Sequence, residues 1–309
     1  MHIVIYGTGG VGGYFGARLA QAGNKVTFIA RGKHLEVIQK KGLYLNSYKG
    51  DFLVYPAIAT DDISAVKNID LILICVKTWQ LAEVARNIKP VLTENTVVLS
   101  LLNGVENEMV LCSQIGSKHV LGGLCKVVSK VEDYGVIHHA TYEPTIVFGE
   151  LNNTISNRAL QIEKIFLEAK ITTKLTDTIQ REIWTKFLFI TTISGMGALT
   201  RATIGEMMAS EQIKNWLYQT ANEIIAIASA NRIKLPNDIV EKQFKIIKAQ
   251  PYNTTTSLQR DVMAGKPSEL EAQNGTIVKM GKDLGIETPI NNFVYHALLP
   301  QEKKTRKLT

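Results

Sequence analysis

Cysteine is scarce: Cys75, Cys112 and Cys125 are the only three in 309 residues, and none forms a C-x-x-C pair or stands at metal-like spacing from a histidine. A disulfide-stapled scaffold and a structural zinc site are therefore not expected; no metal is expected at all, and a reducing compartment is implied. The adjacent His138 and His139 do not change this, because neighbours in a strand point to opposite faces. Long apolar runs are also missing. No stretch is long enough to cross a bilayer and no signal peptide precedes the first apolar run, so a cytoplasmic location without membrane attachment is expected. The net charge of +7, from 35 basic and 28 acidic residues, is scattered except at Lys303-Lys304-Thr305-Arg306-Lys307. That run reads as a solvated, mobile tail. Without a coherent basic stripe, nucleic acid is not an expected partner. Repeats and low-complexity tracts are absent as well.

What remains is an ordinary globular composition, 45% apolar and 20% charged, of a length comfortable for two domains. Its sharpest feature is at the start. The apolar run His2-Ile3-Val4-Ile5-Tyr6 leads into Gly7-Thr8-Gly9-Gly10-Val11-Gly12, a G-x-G-x-x-G turn followed by a helical stretch with the apolar face Phe15-Leu19 and a second strand, Lys25–Ile29. Strand, glycine turn, helix and strand together read as a dinucleotide site. Gly7 allows the turn, Gly9 admits a pyrophosphate and Gly12 lets the helix pack closely. The helix start, with Thr8, Gly10 and Val11, faces the phosphates.

The second strand ends without the Asp or Glu that would accept an NAD ribose hydroxyl about twenty residues beyond the glycines. Ala30-Arg31-Gly32-Lys33 stands there instead. Arg31 offers a planar fork of donors to a 2′-phosphate and Lys33 a second charge, which favours NADP (NADPH) over NAD. The alternative is a pair of solvated surface cations. A basic balance suits an enzyme that collects a phosphorylated cofactor and an anionic substrate.

Continuous apolar runs at His2–Tyr6, Lys25–Ile29, Leu71–Val76 and Thr96–Leu102 predict parallel strands covered on both faces. Cys75 lies inside the third run, where packing explains it better than reactivity. Three shorter strands are expected at Lys126–Ser129, Gly135–His138 and Thr145–Phe148, then a helix near Ile155–Ala169 and a strand near Ile171–Lys174. From Asp177 the chain reads as successive helices, punctuated by Pro236 at a helix start, Pro251 and the loop Gly265-Lys266-Pro267. The fold class is therefore α/β: a Rossmann-like NADP-binding domain over residues 1–176, followed by an all-helical substrate and catalytic domain over residues 177–309.

Lys77 and Asn103-Gly104 directly follow two apolar strands, where a doubly wound sheet binds its ligands. Lys77 suits a phosphate or carboxylate; Asn103 can donate and accept near a nicotinamide, though Asn-Gly is also a routine turn. In Trp184-Thr185-Lys186-Phe187-Leu188, Lys186 sits among large apolar neighbours. A desolvated ammonium there is a good proton donor to a developing alkoxide; spacing alone leaves open a lysine that lays its stem over apolar surface.

The glycine turn, Lys77-Thr78, Asn103-Gly104, Trp184-Thr185-Lys186, and Ser257 followed by Glu269 together resemble the ketopantoate reductase (2-dehydropantoate 2-reductase) family over nearly the whole chain. The resemblance implies NADPH-dependent reduction of 2-dehydropantoate to (R)-pantoate, a step toward pantothenate, in the cleft between two domains. It also implies roles: Lys186 as general acid, Asn103 on cofactor and substrate, Ser257 on the substrate carboxylate, Glu269 on the cofactor and hydroxyl side of the site. Glu269 could in addition pair with Lys186. The chain departs from the family pattern where asparagines are expected: Ile190 and Ser194 replace two and Ile204 a third, with Thr191, Thr192, Ser194 or Thr203 as neighbouring substitutes. Hydride chemistry survives this change more readily than substrate identity, so a more apolar 2-oxo acid is the first alternative and a non-catalytic NADPH-binding regulator the second. The oligomeric state is left open, a homodimer included.

Overall fold

The computed structural model describes residues 1–307, and the chain forms two units: Met1–Leu102 with Glu106–Ile179, and Asn103–Val105 with the chain from Gln180 onward. The first unit begins with β1 (His2–Tyr6), α1 (Gly10–Gln21), β2 (Lys25–Ile29) and α2 (Gly32–Lys41). It continues through β3 (Leu43–Ser47), β4 (Phe52–Val54), β5 (Ile58–Thr60), β6 (Leu71–Ile74), α3 (Leu81–Ile88), β7 (Val97–Ser100) and α4 (Asn107–Ile115). It closes with β8 (Val120–Asp133), β9 (Val136–Gly149), α5 (Asn157–Glu168) and β10 (Thr172–Leu175).

The strands form one sheet in the order β4-β3-β9-β8-β7-β6-β1-β2-β5, with β10 paired to β9. From β8 to β5 every neighbouring pair is parallel. The unbroken apolar runs have a direct cause. Ile3, Ile5, Leu73 and Leu99 feed one core, with Phe15 and Leu19 of α1. Their alternating neighbours Val4, Tyr6, Ile72, Ile74 and Val98 feed a second, with Leu81, Val84 and Ile88 of α3. Each such side chain contributes about 1.5–3 kcal/mol on burial, so a polar residue on either face would be costly. Tyr6, Ile29, Ile74 and Ser100 end neighbouring parallel strands, so the segments leaving them share one edge of the sheet.

Three short strands were expected beyond Leu121; the chain instead forms one antiparallel hairpin of two 14-residue strands, β8 and β9, with Gly135 in its turn at φ +75°. Register shifts near Val128 and before Asp133, together with the largely exposed outer half of β8 and the exposed middle of β9, dilute the apolar signal that would have shown continuity. The short strands β3, β4 and β5 were not foreseen either. They are held by pairing to β9 and β2 rather than by any pronounced apolar pattern of their own.

The second unit contains α6 (Ile179–Thr200, from its second residue), α7 (Ile204–Ala209), α8 (Glu211–Ala230), α9 (Ile239–Lys248), α10 (Ser257–Met263), a π-helical turn at Glu271–Gly275, α11 (Thr276–Leu284) and α12 (Pro289–Arg306). Among the described residues it has no strand. Its core joins Trp184, Phe187 and Leu188 of α6 to Leu217 and Ile224 of α8 and Phe244 of α9. Pro236 does not start a helix; its carbonyl accepts the Ile239 N–H that opens α9 three residues later. The basic run at residues 303–307 also differs from expectation, because α12 extends through Arg306, whose side chain is only 14% exposed beside Glu302. Among the described residues no helix is long and apolar enough to cross a membrane.

Candidate active site

The glycine turn follows β1 as the sequence reading requires, and its glycines do different work. Gly7 has φ +102°, the left-handed half of conformational space, and a side chain there would also meet Val76. At Gly12 a Cβ would lie 2.1 Å from the Gly7 carbonyl oxygen, so α1 packs against β1 only because nothing is there. A Cβ at Gly10 would meet the backbone of Ser129 in β8. Gly9 is different: a Cβ there would find no protein atom within 4 Å. The space beside it is open at the start of a twelve-residue helix with no side-chain cap and no acidic residue in its first turn. The first N–H groups of such a helix have no intrahelical acceptor, so backbone donors and a clear approach coincide, which fits a dinucleotide pyrophosphate. The Thr8 side chain is not part of this cradle. It is 4% exposed and its hydroxyl donates to the Ile29 carbonyl at 3.0 Å, so it ties the turn to β2 instead. Val11 packs partly against the first core.

At the end of β2, Arg31 is exposed and its Nη2 donates to Glu83 Oε1 of α3 at 3.2 Å. With both side chains more than half exposed, such a pair contributes about 0–1 kcal/mol and leaves the guanidinium exchangeable. One turn into α2, His34 bridges two segments that sequence reasoning did not connect. Its Nε2 lies 2.8 Å from the Thr8 carbonyl oxygen and its Nδ1 accepts the Gly135 N–H at 3.0 Å. A carbonyl only accepts and a backbone N–H only donates, so the ring is neutral with its proton on Nε2. Burial pushes its pKa down, partly opposed by the Thr8 bond. The glycine turn is thus braced to the β8–β9 hairpin. Lys77 follows β6, half-buried, with its Nζ 5.9 Å from the centre of the Trp79 ring, while its N–H donates to Gln80 Oε1 at 3.2 Å.

The remaining candidates belong to the helical unit. Asn103, which follows the strand segment of β7 by three residues, donates from Nδ2 to Glu269 Oε2 at 2.9 Å across 166 residues of sequence. Glu269 is 4% exposed. Lys186 is half-buried between the buried Trp184 and Phe187, at the edge of the core and not enclosed by it. Ser257 is the first residue of α10, and the cap is supplied by Thr256, whose hydroxyl accepts the Gln259 N–H. Ser194 is fully buried and its hydroxyl has no hydrogen-bond partner, and the same holds for the buried hydroxyls of Thr191 and Thr192. None of the three lies on an open surface. Ile204, 2% exposed, is a core residue that opens α7 behind the Thr203–Glu206 capping box. Ile190 is half-buried. The structure therefore brings Asn103 and Glu269 together and leaves the three expected asparagine positions without a replacement amide.

Residues 3–153 match the family model described as ketopantoate reductase PanE/ApbA, and residues 178–302 match the C-terminal model of the same family. The chain belongs to the ketopantoate reductase family. A 2-dehydropantoate 2-reductase of Archaeoglobus fulgidus is 30% identical over 290 residues, covering 94% of each chain. The uncharacterized oxidoreductase YkpB of Bacillus subtilis is 29% identical over 96% of this chain and 97% of its own. Among solved structures, a PanE/ApbA family ketopantoate reductase from Ralstonia eutropha superposes with a TM-score of 0.92 at 30% identity, covering 99% of this chain and 100% of that one. D-mandelate dehydrogenase, solved with NADH and anilino(oxo)acetate, shares the fold with a TM-score of 0.90 at 22% identity, over 99% of this chain and 100% of its own. The two ketopantoate reductase segments fall on the two units described above, the first carrying the glycine turn, Arg31 and Lys77, the second Lys186, Ser257 and Glu269.

Proposed function

We propose that the protein is an NADPH-dependent 2-oxo acid reductase that converts 2-dehydropantoate to (R)-pantoate. The observation that carries this reading is the buried Glu269 carboxylate bonded to Asn103, in the same unit as Lys186. A reduced nicotinamide dinucleotide bound at the glycine turn would supply the hydride that a ketone carbon accepts. The backbone donors at Gly10 and Val11 would hold its pyrophosphate, Lys77 would add a cation, and Arg31 would serve the 2′-phosphate. Lys186 supplies the proton. A ketone is neutral and the alkoxide that replaces it is not, so an ammonium placed at that oxygen binds the transition state more tightly than the substrate. Ser257 holds the substrate carboxylate, and Glu269, bonded to Asn103, accepts from a substrate hydroxyl.

A second reading keeps this chemistry and changes the acid. Ile190 cannot hydrogen-bond, and a substrate hydroxyl buried against it without a partner costs about 1–3 kcal/mol. A branched 2-oxo acid without that hydroxyl avoids the cost. Steady-state rates with 2-dehydropantoate and 2-oxoisovalerate separate the two: 2-dehydropantoate turned over no faster than 2-oxoisovalerate would rule out the first reading. The cofactor assignment has its own test. Arg31→Asp should weaken NADPH binding by about 10- to 100-fold, the worth of a charge-assisted hydrogen bond, and NADH binding far less. Equal losses in a fluorescence titration would place recognition of the 2′-phosphate elsewhere.

A further inference from the structure

Ser268, the residue immediately before Glu269, has every polar atom bonded to one acid–base pair of the C-terminal helix. Its N–H donates to both carboxylate oxygens of Glu302, at 3.0 and 3.1 Å, and its hydroxyl donates to Glu302 Oε2 at 2.6 Å. Its carbonyl accepts from Arg306 Nη2 at 2.6 Å, and Arg306 Nε also donates to Glu302. Ser268 is fully buried and Glu302 is 3% exposed. On the other side, the Glu269 carbonyl accepts the Gln273 N–H at 3.1 Å, at the π-helical turn.

We infer that Glu302 and Arg306 are positioning residues for Glu269, acting through the backbone of Ser268. This rests on the reading of Glu269 as part of the active site. The peptide plane between residues 268 and 269 is the one whose rotation would swing the Glu269 side chain away from Asn103, and its oxygen is held by Arg306. The preceding plane is held by Glu302. Burying a carboxylate and a guanidinium costs several kcal/mol before pairing, and well-packed apolar residues of similar volume would serve packing as well or better. An ionic pair that bonds the N–H, the hydroxyl and the carbonyl of one serine fixes a geometry that apolar packing does not. The basic C-terminal run therefore has a task beyond solvation, carried by Arg306.

The test is a double-mutant cycle in the full chain, assayed with NADPH and the faster of the two 2-oxo acids above. Glu302→Gln places an amide where Ser268 and Arg306 both donate. Arg306→Lys keeps the charge but removes the fork, and serves if Glu302→Gln does not fold. Either variant should lower kcat/KM by about 10²-fold, the effect of a misplacement on the order of 1 Å, with NADPH affinity unchanged. In a Glu269→Gln background the same substitutions should cost nothing further, because their target is already lost. An equal loss in both backgrounds would show a purely structural role and overturn the inference, as would wild-type kcat/KM in Arg306→Lys while Glu269→Gln is impaired. If Glu269→Gln itself turns over like the wild type, the catalytic reading of Glu269 fails first, and this inference with it.

Discussion

Lys186→Ala should lower kcat by about 10²–10⁴, the usual worth of a positioned general acid. The side chain is half-buried beside Trp184 and Phe187, so truncation removes the ammonium without opening a large cavity, and the melting temperature should move little. Loss of absorbance at the reduced nicotinamide band, followed under saturating substrate, reads the effect directly. The size of the loss distinguishes roles. A lysine that only covers apolar surface would leave kcat near the wild-type value, and an ammonium that only binds the ground-state carboxylate would raise KM at constant kcat. Either outcome would remove Lys186 from the proton-transfer step.

Glu108→Gln should stabilise the protein increasingly as pH rises above about 4.5. Glu108 is the second residue of α4 and 4% exposed; one oxygen accepts the Gly123 N–H at a long 3.4 Å and the other has no partner. Burial pushes its pKa up from 4.5 to about 7, opposed by its own backbone N–H and that of Gly123. A raised carboxyl pKa means that the folded state holds a proton the unfolded state releases. The contribution to stability is therefore full below about 4.5 and is lost as pH rises through about 7. At 1.36 kcal/mol per pKa unit the loss is roughly 3 kcal/mol. Glutamine has the same shape and no charge to desolvate, so urea melts should coincide with wild type below about pH 4.5 and exceed it by up to that amount near pH 8. A variant no more stable than wild type at pH 8 would show that the buried carboxylate is stabilised by other means.

Local pattern carried most of what the sequence disclosed. The β1–α1–β2 unit was legible because its strand, turn and helix lie within thirty residues and each residue choice agrees with the next. The hairpin was not, because the outer half of β8 and the middle of β9 are exposed and the pairing is irregular, and an apolar rhythm fades where there is little to bury. Asn103 could be named from its place after an apolar strand, Glu269 only through family resemblance, and nothing in their spacing says that residues 166 apart share a hydrogen bond. His34 and the Glu302–Arg306 pair went unread for a related reason. A histidine one turn into a helix and a Glu-Arg pair at i and i+4 are both commonplace on surfaces, and their meaning comes from Thr8, Gly135 and Ser268, partners that only the folded chain supplies. The burial of Ser194 was not legible, because a serine facing an apolar interior and one facing a substrate look alike in sequence.

The unequal packing around the glycine turn separates two kinds of genetic lesion. Damage at Gly7, Gly10 or Gly12 forces side-chain atoms into the protein's own backbone or apolar neighbours, and such alleles are lost to misfolding before any ligand matters. Gly9, with a φ of −82° that alanine accepts and empty room beyond it, is the exception. A methyl group there should leave the fold intact while narrowing the space proposed for the coenzyme, which would make this one codon the source of an inert but intact control.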